Sequence, residues 1–145
     1  MHYKSNFFQV APEAMKHMTE MEAYFREQST LDPILMELIK TRVSQINGCA
    51  FCLNSHTKSA LSLGESQHRL FLLNAWWETA EFTDKEKAAL ALAEHLTLVV
   101  DKGAPISMLN TVKEHFTEKE FVDLVLIINQ INSWNRLNIS VHNEI

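Results

Sequence analysis

Two tetrapeptides, Thr83-Asp84-Lys85-Glu86 and Thr117-Glu118-Lys119-Glu120, have the form of capping boxes and mark the starts of two helices. In each, the threonine hydroxyl can accept the N–H of the glutamate three residues on, and that glutamate can accept the threonine N–H in return. The first box opens a helix through Ala88-Ala89-Leu90-Ala91-Leu92-Ala93 to about Asp101, ahead of Gly103, with alanines that permit close helix approach. The second opens a longer one through Phe121, Val122, Leu124, Val125, Leu126, Ile127 and Ile128 to about Arg136. Read locally, this apolar run resembles a buried strand of about four to eight residues. The preceding box and a length of about 17 residues make it a helix. Three glycines and three prolines in 145 residues cannot supply the turns of an all-β chain. The expected class is all-α, in a single domain over residues 1–145, since 46% hydrophobic residues at this length suffice for one core.

The remaining segments agree. Pro12 precedes Met15, Met18, Met21 and Phe25 at helical spacing, which predicts a first amphipathic helix over 12–28 with its methionines inward. Asp32-Pro33 is an N-cap followed by proline at the first helical position, predicting a helix to about Asn47. Its inward stripe is Ile34, Leu35, Leu38, Ile39, Val43 and Ile46, which leaves Glu37, Thr41 and Ser44 on a polar side. A helix from Cys49 to about Leu63 ends at Gly64, and another covers Ser66 to about Glu78. In the latter, Leu70, Leu73 and Trp77 form a stripe that Phe71, Leu72 and Trp76 widen, so cover on more than one side is expected. Pro105 to Phe116 predicts a short helix. Asn129, Gln130, Asn132 and Asn135 load the last helix with polar groups that must be satisfied by interhelical bonds, a partner subunit or a pocket.

A net charge of −5 with no basic run interleaved with aromatics gives no footprint for nucleic acid or an anionic membrane. Met1 to Phe8 lacks the apolar core of a signal peptide, and no apolar stretch reaches the roughly 18 residues of a membrane span. A cytoplasmic location is expected.

The chemistry concentrates in Glu37, Cys49, Cys52 and His56, an E-x11-C-x-x-C-x3-H pattern that holds both cysteines. Gly48 breaks the preceding helix, so Cys49 opens the next, with Cys52 one turn on and His56 four residues further. At about 100° per residue these three side chains fall within an arc of about 60°. A thiol near a helix N-terminus feels the positive end of the backbone dipole, and a histidine at i+4 can share its proton. The two cysteines can also close a disulfide, which as a staple would be poor because its loop is so short. In a reducing compartment the pattern reads as catalytic or metal-binding. Metal binding lacks a fourth ligand, since a C-x-x-C with one histidine supplies three and His2, His17, His68, His95, His115 and His142 are scattered. Thioredoxin-type organisation lacks its βαβ pattern. On periodicity alone, Glu37 reads as a solvated residue unless another element covers its side.

The run Arg42-Val43-Ser44-Gln45-Ile46-Asn47-Gly48-Cys49-Ala50-Phe51-Cys52-Leu53-Asn54-Ser55-His56-Thr57-Lys58 resembles the core segment of the AhpD-like alkylhydroperoxidase group of the carboxymuconolactone decarboxylase superfamily. The similarity continues through Trp76-Trp77-Glu78-Thr79, Phe82-Thr83 and Ile131-Asn132-Ser133-Trp134-Asn135-Arg136-Leu137, so it spans residues 33–140. It implies an all-α fold of about six to seven helices and homo-oligomers, trimers or hexamers, with active-site helices near subunit boundaries. It further implies a peroxidatic Cys52, a resolving Cys49, His56 as proton relay and Glu37 as the group that orients it. The implied activity is hydroperoxide reduction, with an external dithiol or protein as reductant and no cofactor. Cys49 would face solvent to meet that reductant. Where the group carries a histidine between its cysteines, this chain has Phe51, so a relay through a second imidazole cannot operate. A general thiol-disulfide oxidoreductase and a metal-binding or interaction protein are the competing readings. The decarboxylase branch fits less well, since lactone decarboxylation has no evident need for a dithiol.

Overall fold

The computed structural model describes residues 6–141, and among them every regular element is helical. The helices are α1 (Phe7–Val10), α2 (Pro12–Glu27), α3 (Pro33–Asn47), α4 (Ala50–Ser62), α5 (Gln67–Leu72), α6 (Asp84–Thr97), α7 (Val99–Lys102), α8 (Ile106–His115) and α9 (Glu118–Ser140), with a 3-10 segment over Leu73–Glu78 after α5. His2, His142 and the leader reading of residues 1–5 fall outside the described residues. The expected six to seven helices become nine α-helices among those described, because the single turn α1 was not foreseen and the helix predicted from Thr83 divides into α6 and α7. None is long and apolar enough to cross a membrane.

Local chemistry sets most boundaries as expected. Thr83 and Thr117 each accept the backbone N–H of the third helical residue, Glu86 and Glu120, which reach back in full capping boxes. The Asp32 carboxylate accepts from Ile34 and Leu35, with Pro33 at the first helical position. The differences arise where packing intervenes. The predicted helix over 66–78 kinks at Ala75 (φ −129°, ψ 35°). That turn buries Trp76 and leaves Trp77, expected on the inward stripe, 53% exposed beside Phe71 at 72%. The helix after Thr83 breaks at Leu98 (φ −102°, ψ 37°), and α9 runs four residues beyond Arg136.

Helix α3 is the axis of the molecule, packed against α4, α6 and α9, while α6 also packs on α8 and α9. Its apolar residues divide between two cores. Leu35, Ile39 and Val43 join Phe25, Leu92, Leu124, Ile127 and Ile131, whereas Leu38 joins Ala60, Leu70, Leu73, Trp76 and Leu90. With neighbours on every side, its polar side is buried too, including Lys40, Thr41, Arg42 and Ser44.

A buried carboxylate pins this arrangement. Glu94 of α6 accepts from Arg42 Nε at 2.9 Å and Trp76 Nε1 at 2.8 Å, and Lys102 lies 3.3 Å from its second oxygen. Burial works against its ionisation, but the bonds from Trp76, Arg42 and Lys102 outweigh it and hold the carboxyl below the usual glutamate range. The Arg42 guanidinium also donates to Gln45 and Asn74, so one cation joins α3, α6 and the 3-10 segment.

Candidate functional site

Gly48 adopts the left-handed conformation (φ 70°) that closes α3 and turns the chain back along it. Cys49 follows as the N-cap of α4, and its Sγ accepts the backbone N–H of Cys52 at 3.3 Å. Both thiols are free, at 1% and 3% exposure for Cys49 and Cys52. Cys49 therefore does not face solvent as expected. As a cap, its side chain turns back over the first turn of α4 and is enclosed there.

Cys52 sits at the α4–α9 contact, where Asn138 Nδ2 donates to its sulfur at 3.5 Å. Its thiol is pushed up to about 12, mainly by burial and next by the hydrogen bond with Cys49; donation from Asn135 and Asn138 acts the other way without cancelling them. In the reduced protein, Cys52 holds its proton at neutral pH, and nucleophilic work at this sulfur requires a base to remove it.

Glu37 projects from α3 against α4, and its Oε2 lies 2.8 Å from His56 Nδ1. The polar side of α3 that periodicity assigned to solvent is thus covered by α4, leaving the Glu37 side chain 14% exposed. A carboxylate only accepts, so the proton in this bond sits on Nδ1, and Nε2 is the lone-pair nitrogen of the neutral ring. The ring hydrogen-bonds neither thiol, although His56 lies four residues beyond Cys52 on one helix. The helical spacing brought out Cys49, Cys52 and His56, and the tertiary fold adds Glu37 through the ring.

The asparagines of α9 form the wall behind the dithiol. Asn47 Nδ2 donates to Asn132 Oδ1 and Asn135 Oδ1 at 3.0 and 2.9 Å, and Asn135 Nδ2 donates to Ser44 Oγ at 3.0 Å. Gln130 bonds the Met18 carbonyl, so three of the four polar residues make interhelical bonds and Asn129 is exposed. Sequence reasoning missed Asn138, one turn after Asn135 on the same side of α9. It also passed over Lys40, one turn after Glu37, whose Nζ lies 3.7 Å from Glu37 Oε1 and 3.0 Å from Glu22 Oε2. The i+3 spacing from a site residue was the available signal in both cases. Among the described residues, no group of three or more His, Cys, Asp and Glu is arranged to hold a metal ion.

An all-helical fold with a buried C-x-x-C, a histidine one turn on and a glutamate from the preceding helix defines an AhpD-like protein. The chain belongs to the carboxymuconolactone decarboxylase family, whose model matches residues 12–95. It is 48% identical over 144 residues to the uncharacterized protein YdfG of Bacillus subtilis, covering 99% of this chain and 97% of YdfG. To the uncharacterized protein YnjA of Escherichia coli it is 26% identical over 113 residues, covering 78% of this chain and 62% of YnjA. Among solved structures it is similar to ATU0492 of Agrobacterium tumefaciens, a protein of unknown function designated a candidate antioxidant defence protein AhpD (TM-score 0.92, 33% identity, 98% of this chain and 97% of that one). The debrominase Bmp8 shares the fold at 15% identity (TM-score 0.85, 95% and 74% coverage).

Proposed function

We propose that the protein reduces hydroperoxides through a Cys49–Cys52 dithiol whose proton traffic runs through His56 and Glu37. The observation that carries this reading is the 2.8 Å Glu37–His56 bond, which holds the ring one turn after Cys52 on the helix that carries both buried cysteines. The candidate AhpD identity of the 33% identical Agrobacterium protein supports it. Cys52 loses its proton toward His56, whose Nε2 can accept it while Glu37 holds Nδ1. The thiolate attacks the peroxide oxygen; the O–O bond breaks, leaving Cys52 as a sulfenic acid and releasing the alcohol or water once protonated. Cys49 thiol then condenses with the sulfenic acid to a disulfide, expelling water, and an external dithiol takes up the oxidation and restores both thiols. No cofactor enters this cycle. The working unit is a homo-oligomer, whose contacts would cover the exposed Phe71 and Trp77.

One observation favours a second order of events. The N-cap bond from Cys52 N–H favours negative charge on Cys49 Sγ, so Cys49 as attacking thiolate with Cys52 resolving is the competing assignment. Serine variants separate the two. Cys52→Ser should abolish hydroperoxide turnover, whereas Cys49→Ser should undergo a single oxidation that is not recycled. The opposite pattern establishes the second order, and equal multiple turnover in both removes the dithiol cycle. Disulfide exchange faster than hydroperoxide consumption would make the protein a general thiol-disulfide oxidoreductase, and stoichiometric zinc in protein purified without chelator would sink the redox reading.

A further inference from the structure

Lys40 is a buried cation between two carboxylates. Its side chain is 9% exposed, with Nζ 3.0 Å from Glu22 Oε2 and 3.7 Å from Glu37 Oε1. An ammonium removed from water at this depth needs such partners. Each carboxylate, in turn, has its second oxygen committed elsewhere. Glu37 Oε2 takes His56 Nδ1 at 2.8 Å, and Glu22 Oε1 accepts Trp134 Nε1 at 3.0 Å. The result is a continuous row, Trp134–Glu22–Lys40–Glu37–His56, that passes from α9 through α2 and α3 to α4.

The signs along this row alternate: minus at Glu22, plus at Lys40, minus at Glu37. With an imidazolium at His56 the row is neutral, and with a neutral ring it carries one net negative charge. Lys40 therefore offsets part of the pull that Glu37 exerts on a proton at His56, and Glu22 offsets part of the effect of Lys40. Among the described residues, the members of this row and the neighbouring thiol come from four helices. Helix α3 presents Glu37 and then Lys40, α2 presents Glu22, and α4 itself carries Cys52 one turn before His56. Helix α9 contributes neutral groups, Trp134 to Glu22 and Asn138 to Cys52.

We propose that Lys40 and Glu22 are positioning residues that extend the Glu37–His56 pair into an alternating charge row, which sets how tightly His56 holds the proton it exchanges with the thiols. This rests on the dithiol reading above for its purpose. Its geometry and its test do not depend on peroxide turnover. A lysine that only filled space between α2 and α3 would affect stability and leave the ring untouched. A charge row makes the ring respond to each member with a sign set by its place.

The experiment is NMR titration of the His56 ring in the reduced full-length protein, alongside the pH dependence of thiol alkylation by iodoacetamide. Relative to wild type, Glu37→Gln should lower the ring's titration midpoint, Lys40→Met should raise it, and Glu22→Gln should lower it again. Interactions over these distances shift such midpoints by about 0.5 to 1 pH unit for Lys40 and less for the more remote and wetter Glu22. Lys40→Arg, which restores the cation, should return the midpoint toward wild type, and a limb of the alkylation profile should move with the ring in every variant. If Lys40→Met does not fold, Glu22→Gln and Lys40→Arg carry the test. Unmoved midpoints, shifts of one sign, or an alkylation profile that ignores the ring would overturn the proposal. Alternating midpoints with a matching alkylation limb, but no peroxide consumption, would retain the row and remove the hydroperoxide reading instead.

Discussion

The carboxylate of Glu37 spends one oxygen on His56 Nδ1 and turns the other toward Lys40, so its effect on the dithiol is exerted through the imidazole. Replacing it by glutamine keeps the shape and removes the charge that steadies an imidazolium. Glu37→Gln should slow thiol oxidation by about ten- to a hundredfold, less than the roughly 10²–10⁴-fold contributed by a direct proton-transfer group. The fold should survive, and stopped-flow rates against pH would check this. A wild-type pH–rate curve in the variant would make Glu37 a structural residue only. Cys49, Cys52 and His56 were legible in the sequence because a single helix period relates them. Glu37 was legible only by resemblance, because what covers it comes from α4 rather than from its own helix. For Asn138 and Lys40 the sequence offered only an i+3 spacing, from Asn135 and Glu37, and an asparagine or lysine so placed looks like ordinary helix surface until another helix is laid against it.

At the level of elements, the same division between local and tertiary causes decides what could be read. Both capping boxes, the Asp32-Pro33 start and the Gly48 stop depend on residues within one turn, and they fall where expected. The kink at Ala75 does not. It places Trp76 Nε1 on a carboxylate of α6, a partner 18 residues away, and turns Trp77, expected on the inward stripe, out to solvent. Glu94 is the receiving group, and its removal would leave Arg42 a buried cation without its main partner. Glu94→Ala should therefore lower stability by about 3–5 kcal/mol at pH 7, measured by urea unfolding. Because the folded Glu94 carboxyl lies below its ordinary value, its contribution is complete above about pH 4.3 and is lost as pH falls through the lower folded value. Glu94→Gln should accordingly flatten the acid limb of the stability curve.

Across the whole molecule, α3 is enclosed on all sides, and this one fact joins fold to chemistry. A helix read from sequence as amphipathic becomes a central strut because its apolar stripe serves two cores while its polar side meets α2, α4, α6 and α9 through buried ion pairs and hydrogen bonds. The all-α class followed from composition and periodicity. The enclosure did not, because periodicity describes one helix and carries no information about how many neighbours it acquires. The consequence is a dithiol sealed from solvent in the single chain, with Asn138 and Cys49 around the Cys52 sulfur and the Glu37–His56 pair one turn away. If the proposed cycle operates, hydroperoxide oxidises this sealed pair to an internal disulfide. Stopped-flow mixing of the reduced protein with a small and a bulky hydroperoxide, followed by mass spectrometry of the product, tests it most directly. The prediction is rapid stoichiometric oxidation with a Cys49–Cys52 disulfide, two hydrogen atoms lighter than the dithiol, as the product. Persistence of both free thiols after excess peroxide, or stable over-oxidation of one cysteine with the other unchanged, would contradict it.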